Sequence, residues 1–325
     1  MGRVVTRYVI RRIAQAVGVL LAAYTLSFFI LVLLPGDPVS AMAGAGMDSA
    51  PVDPARIEAL RHEYGFDQPL PLQYAEHLGR ALTGDLGDSV ATGRPVASMI
   101  TEALPQTLLL TATGLGLAFL FGGGLALAAT YSSRRWLRQV LLSLPPLGVS
   151  VPTFWVGLML VQFFSFRNPW FPAFGNDGLK GLVLPALTLA VPTGAQIALV
   201  LAKSLSTTLD EPYIGTARAK GAGRVHVHLR HALRNASLPA LTVAGLLVGQ
   251  LMANAVVIET VFSRNGLGRV TQAAVTAQDI PVVQGVVVYG ALVFVVVNLL
   301  VDLVYPVLDP RIVLAPARPA GVVTA

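Results

Sequence analysis

Cysteine is absent from all 325 residues, which excludes disulfide scaffolds, thiolate catalysis, zinc fingers and iron–sulfur clusters, whichever compartment the loops face. Charge is scarce as well. Asp, Glu, Lys and Arg make up only 12% of the chain, where soluble globular proteins carry about a quarter. The chain also lacks any Gly-x-x-x-x-Gly-Lys-Ser/Thr stretch, so it has no phosphate-cradling loop of its own. What is abundant is apolar: 54% of residues, with a mean hydropathy of +0.67. Lipid is therefore the solvent for most of the chain. A formal charge of +6 would point to nucleic acid in a soluble protein. A membrane protein instead collects basic residues at its cytoplasmic rim, so the placement of the charges decides.

A bilayer core of roughly 30 Å needs about 20 mostly apolar helical residues. Six such runs occur, at Val9 to Leu34, Gln106 to Thr130, Val140 to Phe164, Leu182 to Leu201, Leu238 to Phe262 and Val282 to Leu308. The first follows Arg3, Arg7, Arg11 and Arg12 but is too long for a cleaved signal peptide, so it reads as an uncleaved anchor. Pro146, Pro152, Pro185 and Pro192 predict kinks in the third and fourth runs. With both termini placed in the cytoplasm, fifteen Lys and Arg fall inside against eight outside, and three acids inside against twelve outside. The sides then carry +12 and −4, with Glu259 and Asp302 left in the spans. The basic excess sits inside, as the positive-inside rule requires, and the nucleic-acid reading loses its support. The expected organisation is an N-terminus and first span (1–34), an outer loop with short helices (35–104), a five-helix core (105–308) and a cytoplasmic tail (309–325).

Two connections are too long to be turns. The outer one has turn signals at Pro35-Gly36-Asp37-Pro38 and Thr83-Gly84-Asp85, with an amphipathic helix expected at Pro54 to Tyr64. It reads as a cap over the outer helix ends or as a dock for an extracellular partner. The inner one, residues 203–235, predicts a short capped helix: Asp210 as N-cap, Pro212 in the first turn, Tyr213 to Lys220 as two turns and Gly221 as the close. A basic segment, Arg224 to Arg234, leads to the next membrane entry at Leu238-Pro239. A rigid protrusion between two spans suits insertion into a groove on a soluble partner.

Tyr213 to Asn235, followed by Leu238-Pro239, resembles the coupling loop of ABC-importer permeases, and is most similar to the branch that handles peptides, dipeptides and nickel. Gly65-Phe66-Asp67-Gln68-Pro69-Leu70-Pro71, Gly84-Asp85-Leu86-Gly87-Asp88-Ser89, Val151-Pro152-Thr153-Phe154-Trp155, Glu259-Thr260-Val261-Phe262 with Gly266-Leu267-Gly268, and Asp302-Leu303-Val304-Tyr305 with Leu308-Asp309-Pro310-Arg311 carry the resemblance through nearly the whole chain, in order. The general permease motif opens Glu-Ala-Ala, with Gly six residues after the Glu. Here Ala217 and Gly221 keep their places, while Gly215 stands for the acid and Thr216 for the first Ala. The peptide branch commonly lacks that acid too, although a fixed salt bridge to the ATPase is then not implied.

The resemblance implies an all-α, six-span type I ABC-importer permease with cytoplasmic termini, multi-pass in a bacterial or archaeal plasma membrane. It implies a transport subunit rather than an enzyme. Its partners would be a second, homologous permease chain in a heterodimer, two ATPase subunits that bind ATP and Mg, and an extracytoplasmic solute-binding protein. The chain itself would bind no cofactor and no nucleic acid. Tyr213, Thr216, Ala217, Arg218, Lys220, Gly221 and Arg224 would serve ATPase coupling. The implied cargo is oligopeptides or dipeptides, glutathione-like peptides included, with nickel chelates as the alternative.

An ion-coupled transporter needs ionisable groups deep in the bundle. The candidates are Glu259 and Asp302, near span ends, where both can snorkel to an interface. An intramembrane enzyme would need a nucleophile with a base, or a metal cluster. Of His226, His228 and His231, only the last two share a face of an α-helix, which argues against a metal. Asn235-Ala236-Ser237 is a sequon on the cytoplasmic side and carries no meaning there. Gly245 and Gly249 are spaced for close helix packing. Gln250 and Asn254 share a face of the same helix and line either the translocation path or a helix contact.

Overall fold

The computed structural model describes residues 2–33, 58 and 67–308. The Pro35–Pro38 turn, the Pro54–Tyr64 helix apart from Glu58, Gly65-Phe66, the side chain of Asp302 and the tail from Asp309 lie outside the described residues. Within them every regular element is helical, and the sole β feature is an isolated bridge between Asp88 and Pro95. The helices are α1 (Gly2–Leu33), α2 (Leu70–Leu82), α3 (Val96–Tyr131), α4 (Arg135–Ser150), α5 (Thr153–Val161), α6 (Lys180–Leu209), α7 (Pro212–Ala219), α8 (Leu233–Val261), α9 (Leu267–Thr276) and α10 (Ile280–Leu308). A π-helical stretch, Gln162–Arg167, extends α5, and a single turn, Arg224–His226, with a second π stretch, Val227–Ala232, runs into α8.

Among the described residues, five helices are long and apolar enough to cross a membrane, and α4 with α5 makes a sixth if that bent pair is one span. The third expected span is therefore not a continuous helix. It breaks by 99° between α4 and α5, at Val151-Pro152, where proline pushes the residue before it out of the helical region and Val151 adopts an extended conformation (φ −86°, ψ 129°). Pro146, Pro185 and Pro192 sit inside unbroken helices instead. Helix α6 also runs on to Leu209, so the inner connection is shorter than 203–235. It covers only the residues between α6 and the start of the 224–261 helical run.

Without a hydrophobic force between helices in lipid, close packing must hold the bundle. Gly114, Ala118, Gly122 and Ala126 recur every fourth residue along α3 and are all buried. They let α6 approach so closely that a Cβ on Gly122 would overlap the Gly194 carbonyl, and one on Gly114 would come 3.1 Å from Leu189 Cβ. Leu110, Val161, Leu184, Leu189, Leu251 and Ile258 fill the space where α3, α5, α6 and α8 meet. Helix α1 lies against α10 and is pinned by α2, where Tyr74 meets Phe28 (ring centroids 5.4 Å) and the hydroxyl of Thr25 (2.8 Å).

This packing gives the bundle two poles. Helix α7, the end of α3 and the start of α4 lie at one. The segments 83–95, 168–179 and 262–279 lie at the other. Thr83-Gly84-Asp85 forms the expected turn, with Gly84 at φ +86°.

Candidate functional site

Helix α7 protrudes at the first pole. Glu211, not Asp210, takes its N-cap position, with extended backbone and no side-chain cap; Asp210 instead ends α6. Pro212 suits the first turn because its missing N–H would have no helical partner there. Gly221, at φ +86°, closes the helix. Its N–H donates to the Arg218 carbonyl (2.9 Å), and the Ala222 N–H reaches back to the Ala217 carbonyl (3.1 Å). These two bonds make a Schellman close, which satisfies carbonyls that would otherwise be orphaned. One side chain anchors the helix: Ile214 is fully buried among Leu205, Val227, Ala232 and Ala236. Gly215, Thr216, Arg218 and Lys220 are exposed, with Ala217 half-buried. Tyr213 turns back, donating from its hydroxyl to the His231 carbonyl (3.2 Å) and accepting from Asn235 Nδ2 (3.0 Å).

Arg224, though exposed, also contacts the end of α3. Its Nη2 donates to the Tyr131 carbonyl, and its guanidinium stacks 4.5 Å from the centre of the Tyr131 ring. His228, buried, lies with Nε2 3.4 Å from the Thr130 carbonyl and Nδ1 3.1 Å from the Arg224 carbonyl. The π stretch changes which histidines are neighbours. Its i to i+5 pattern brings the His226 and His231 rings to 5.1 Å, while His228 turns into the bundle; the α-helical pairing of 228 with 231 does not occur. Among the described residues, no group of three or more His, Cys, Asp or Glu is placed to hold a metal.

The second pole carries a buried polar network. Glu259 is fully buried and does not snorkel. Thr107 Oγ1 and the Gly268 N–H each donate to its carboxylate at 2.6 Å, and Thr107 Oγ1 accepts from the Leu267 N–H at 2.8 Å. Gly266 and Gly268 are required by contact: a Cβ on Gly266 would collide with the carboxylate, and one on Gly268 with the Val256 backbone. Arg264, 2% exposed, donates through Nη1 to the carbonyls of Gly181 (2.8 Å) and Gly175 (3.2 Å), and through Nη2 to Gln106 (3.3 Å). Burial lowers the pKa of its guanidinium, and the charge of Glu259 opposes that shift. Asp279 binds a second segment, accepting from Ser89 Oγ (2.5 Å) and the Ala91 N–H (3.2 Å).

Gly249 packs against the Phe294 ring of α10, at 3.0 Å from where its Cβ would stand, and Gly245 is buried. The tightest backbone approach, however, is that of Gly122 to Gly194. Gln250 is exposed and Asn254 half-buried in the single chain. Sequence reading missed the roles of Thr107, Arg264 and Asp279. Arg264 and Asp279 fall in a connection where charge is unremarkable, and nothing local marks them as buried.

Residues 120–314 match the family described as binding-protein-dependent transport system inner membrane component, and residues 5–111 match the description of its N-terminal part. A Brucella suis protein provisionally named a peptide transport system permease protein is 36% identical over 315 residues, covering 94% of this chain and 99% of that one. The glutathione transport system permease protein of Salmonella typhimurium is 37% identical over 306 residues, covering 94% and 98%. A solved amino acid ABC transporter aligns with a TM-score of 0.46 at 17% identity, over 66% of this chain and 94% of that one.

Proposed function

Because the chain belongs to the family of binding-protein-dependent transport system inner membrane components, a multi-pass protein of the plasma membrane, we propose that it is one permease half of an ATP-driven peptide importer. Its cargo is peptides, with small ones such as glutathione included, as the names of its relatives suggest. A second, homologous permease chain completes the pore. Two ATPase subunits dock at α7 from the cytoplasm, and a solute-binding protein delivers cargo at the opposite pole.

The observation that carries this reading is the mounting of α7. It is closed at Gly221, anchored through Ile214 and exposed at Thr216, Arg218 and Lys220. A short helix held in this way passes on displacement without bending. ATP binding closes the two ATPases, α7 moves with them, and the bundles rock from inward-facing to outward-facing, so that cargo enters the pore. Basic residues on the α7 side, among them Arg134, Arg135, Arg138, Arg218 and Lys220, support a cytoplasmic placement of that pole. Gln250, exposed, and Asn254, half-buried, face the passage shared with the second permease.

Proteoliposomes holding the complete transporter test this reading. Labelled dipeptide, oligopeptide or glutathione accumulates only with ATP on the ATPase side and cargo-loaded binding protein on the other. Uptake driven by a proton or sodium gradient without ATP would sink it.

A further inference from the structure

The last two carbonyls of α3 belong to Thr130 and Tyr131, in the final turn, where a helix leaves its carbonyls without internal partners. Both are taken up by one short segment at the start of the 224–261 helical run: Arg224 reaches the Tyr131 carbonyl and covers the Tyr131 ring, and His228 reaches the Thr130 carbonyl. His228 also packs its ring edge-on to Tyr131, with centroids 5.2 Å apart. Helices α6 and α8 are joined to α7 through the chain itself. Helix α3 has no such covalent link to α7, and this clamp ties its end non-covalently to the segment that follows α7. At its far end, α3 presents Thr107 to Glu259 and to the Leu267 N–H. Residues 107 and 130 lie on one unbroken helix, about 35 Å apart at the usual rise.

We propose that Arg224 and His228 are positioning residues that fasten the coupling segment to the end of α3, making α3 the rod that carries ATPase-driven movement to the Thr107–Glu259–Gly268 network at the opposite pole. This rests on the importer reading above and deepens it. Arg224 acts through α3 and touches neither cargo nor ATPase. The link is directional in what it can transmit: a guanidinium gripping a carbonyl and covering a ring resists both axial slip and sideways release of the helix end.

The test uses the complete transporter in proteoliposomes and reads peptide imported per ATP hydrolysed, together with retention of the ATPase subunits on the permease. Arg224 is exposed, so Arg224→Ala leaves the buried core untouched. Its expected effect is a fall in imported peptide per ATP on the order of tenfold, with the ATPases still bound. Arg224→Lys, which keeps a donor and a cation over the ring, restores most of the ratio. Tyr131→Leu removes the ring but leaves the carbonyl, and lowers the ratio less; it also serves as the reading if Arg224→Ala fails to assemble. Joining cysteines at 131 and 224 with a short bifunctional thiol reagent, in a chain free of other thiols, raises the ratio again. An unchanged ratio in Arg224→Ala and Tyr131→Leu overturns the proposal. Loss of ATPase binding on Arg224→Ala also overturns it, because that places Arg224 on the docking surface. A parent complex that imports nothing with ATP contradicts the importer reading itself, a failure visible before any variant is compared.

Discussion

The Glu259 carboxylate accepts from Thr107 and from the Gly268 N–H in a site closed to solvent. Glu259→Ala strands both donors and leaves Arg264 without its nearby opposite charge, so it should lower stability by about 3 kcal/mol; the readout is the Tm of the purified protein in detergent. Gly268→Ala should do comparable damage while removing no hydrogen-bonding group, because its Cβ meets the Val256 backbone. A Tm for Gly268→Ala equal to the parent's would contradict the close approach. The acid itself was legible in the sequence as a charge within an apolar run, but its burial was not. Only the return of residues 266–268 over the end of α8 covers it, and a contact nine residues away in sequence has no periodic signature. The contact of Arg224 with α3 was hidden for a related reason: its carbonyl partner lies 93 residues away, and nothing local marks the pair.

At the scale of elements, the end of α7 was readable because helix closure is local chemistry. Glycine at C′ takes the left-handed conformation that other residues enter at a penalty. Gly221→Ala should therefore weaken the end of α7 by about 1 kcal/mol. Its effect on imported peptide per ATP should exceed its effect on Tm, since α7 contributes one buried side chain to the core, Ile214. The contact between α3 and α6 was not readable. Gly122 looks like an ordinary member of the Gly122-Gly123-Gly124 run until Gly194 is placed against it. Gly122→Leu should force those helices apart, and we expect loss of folded protein as judged by size-exclusion chromatography, with Gly124→Leu, at an open position, tolerated. Five of the six apolar runs appear as single helices and the third as the bent pair of α4 and α5; Pro185 and Pro192 lie within a largely buried, unbroken helix, whereas Val151-Pro152 lies at the turn from α4 to α5.

For the whole molecule, orientation and assembly make the strongest demands. Large apolar side chains stay exposed along the helices, including Leu120, Leu147 and Leu246 at more than 60%, as expected for surfaces that meet lipid or a second permease. Within the excess of +6 over the chain, Arg134, Arg135, Arg138, Arg218, Lys220 and Arg224 lie at the pole that bears α7. A cysteine-free chain makes this directly measurable. In right-side-out membrane vesicles, a membrane-impermeant maleimide should label Ala277→Cys and spare Thr216→Cys, with the pattern reversed in inverted vesicles. The central claim, that α7 is the surface on which an ATPase acts, is tested most directly by cross-linking from Thr216→Cys in the assembled transporter. A short heterobifunctional reagent attached there should capture an ATPase subunit, and the yield should change when ATP is added to the complex. Capture of no ATPase from position 216, in a complex that retains its ATPases and still imports peptide, would contradict the account.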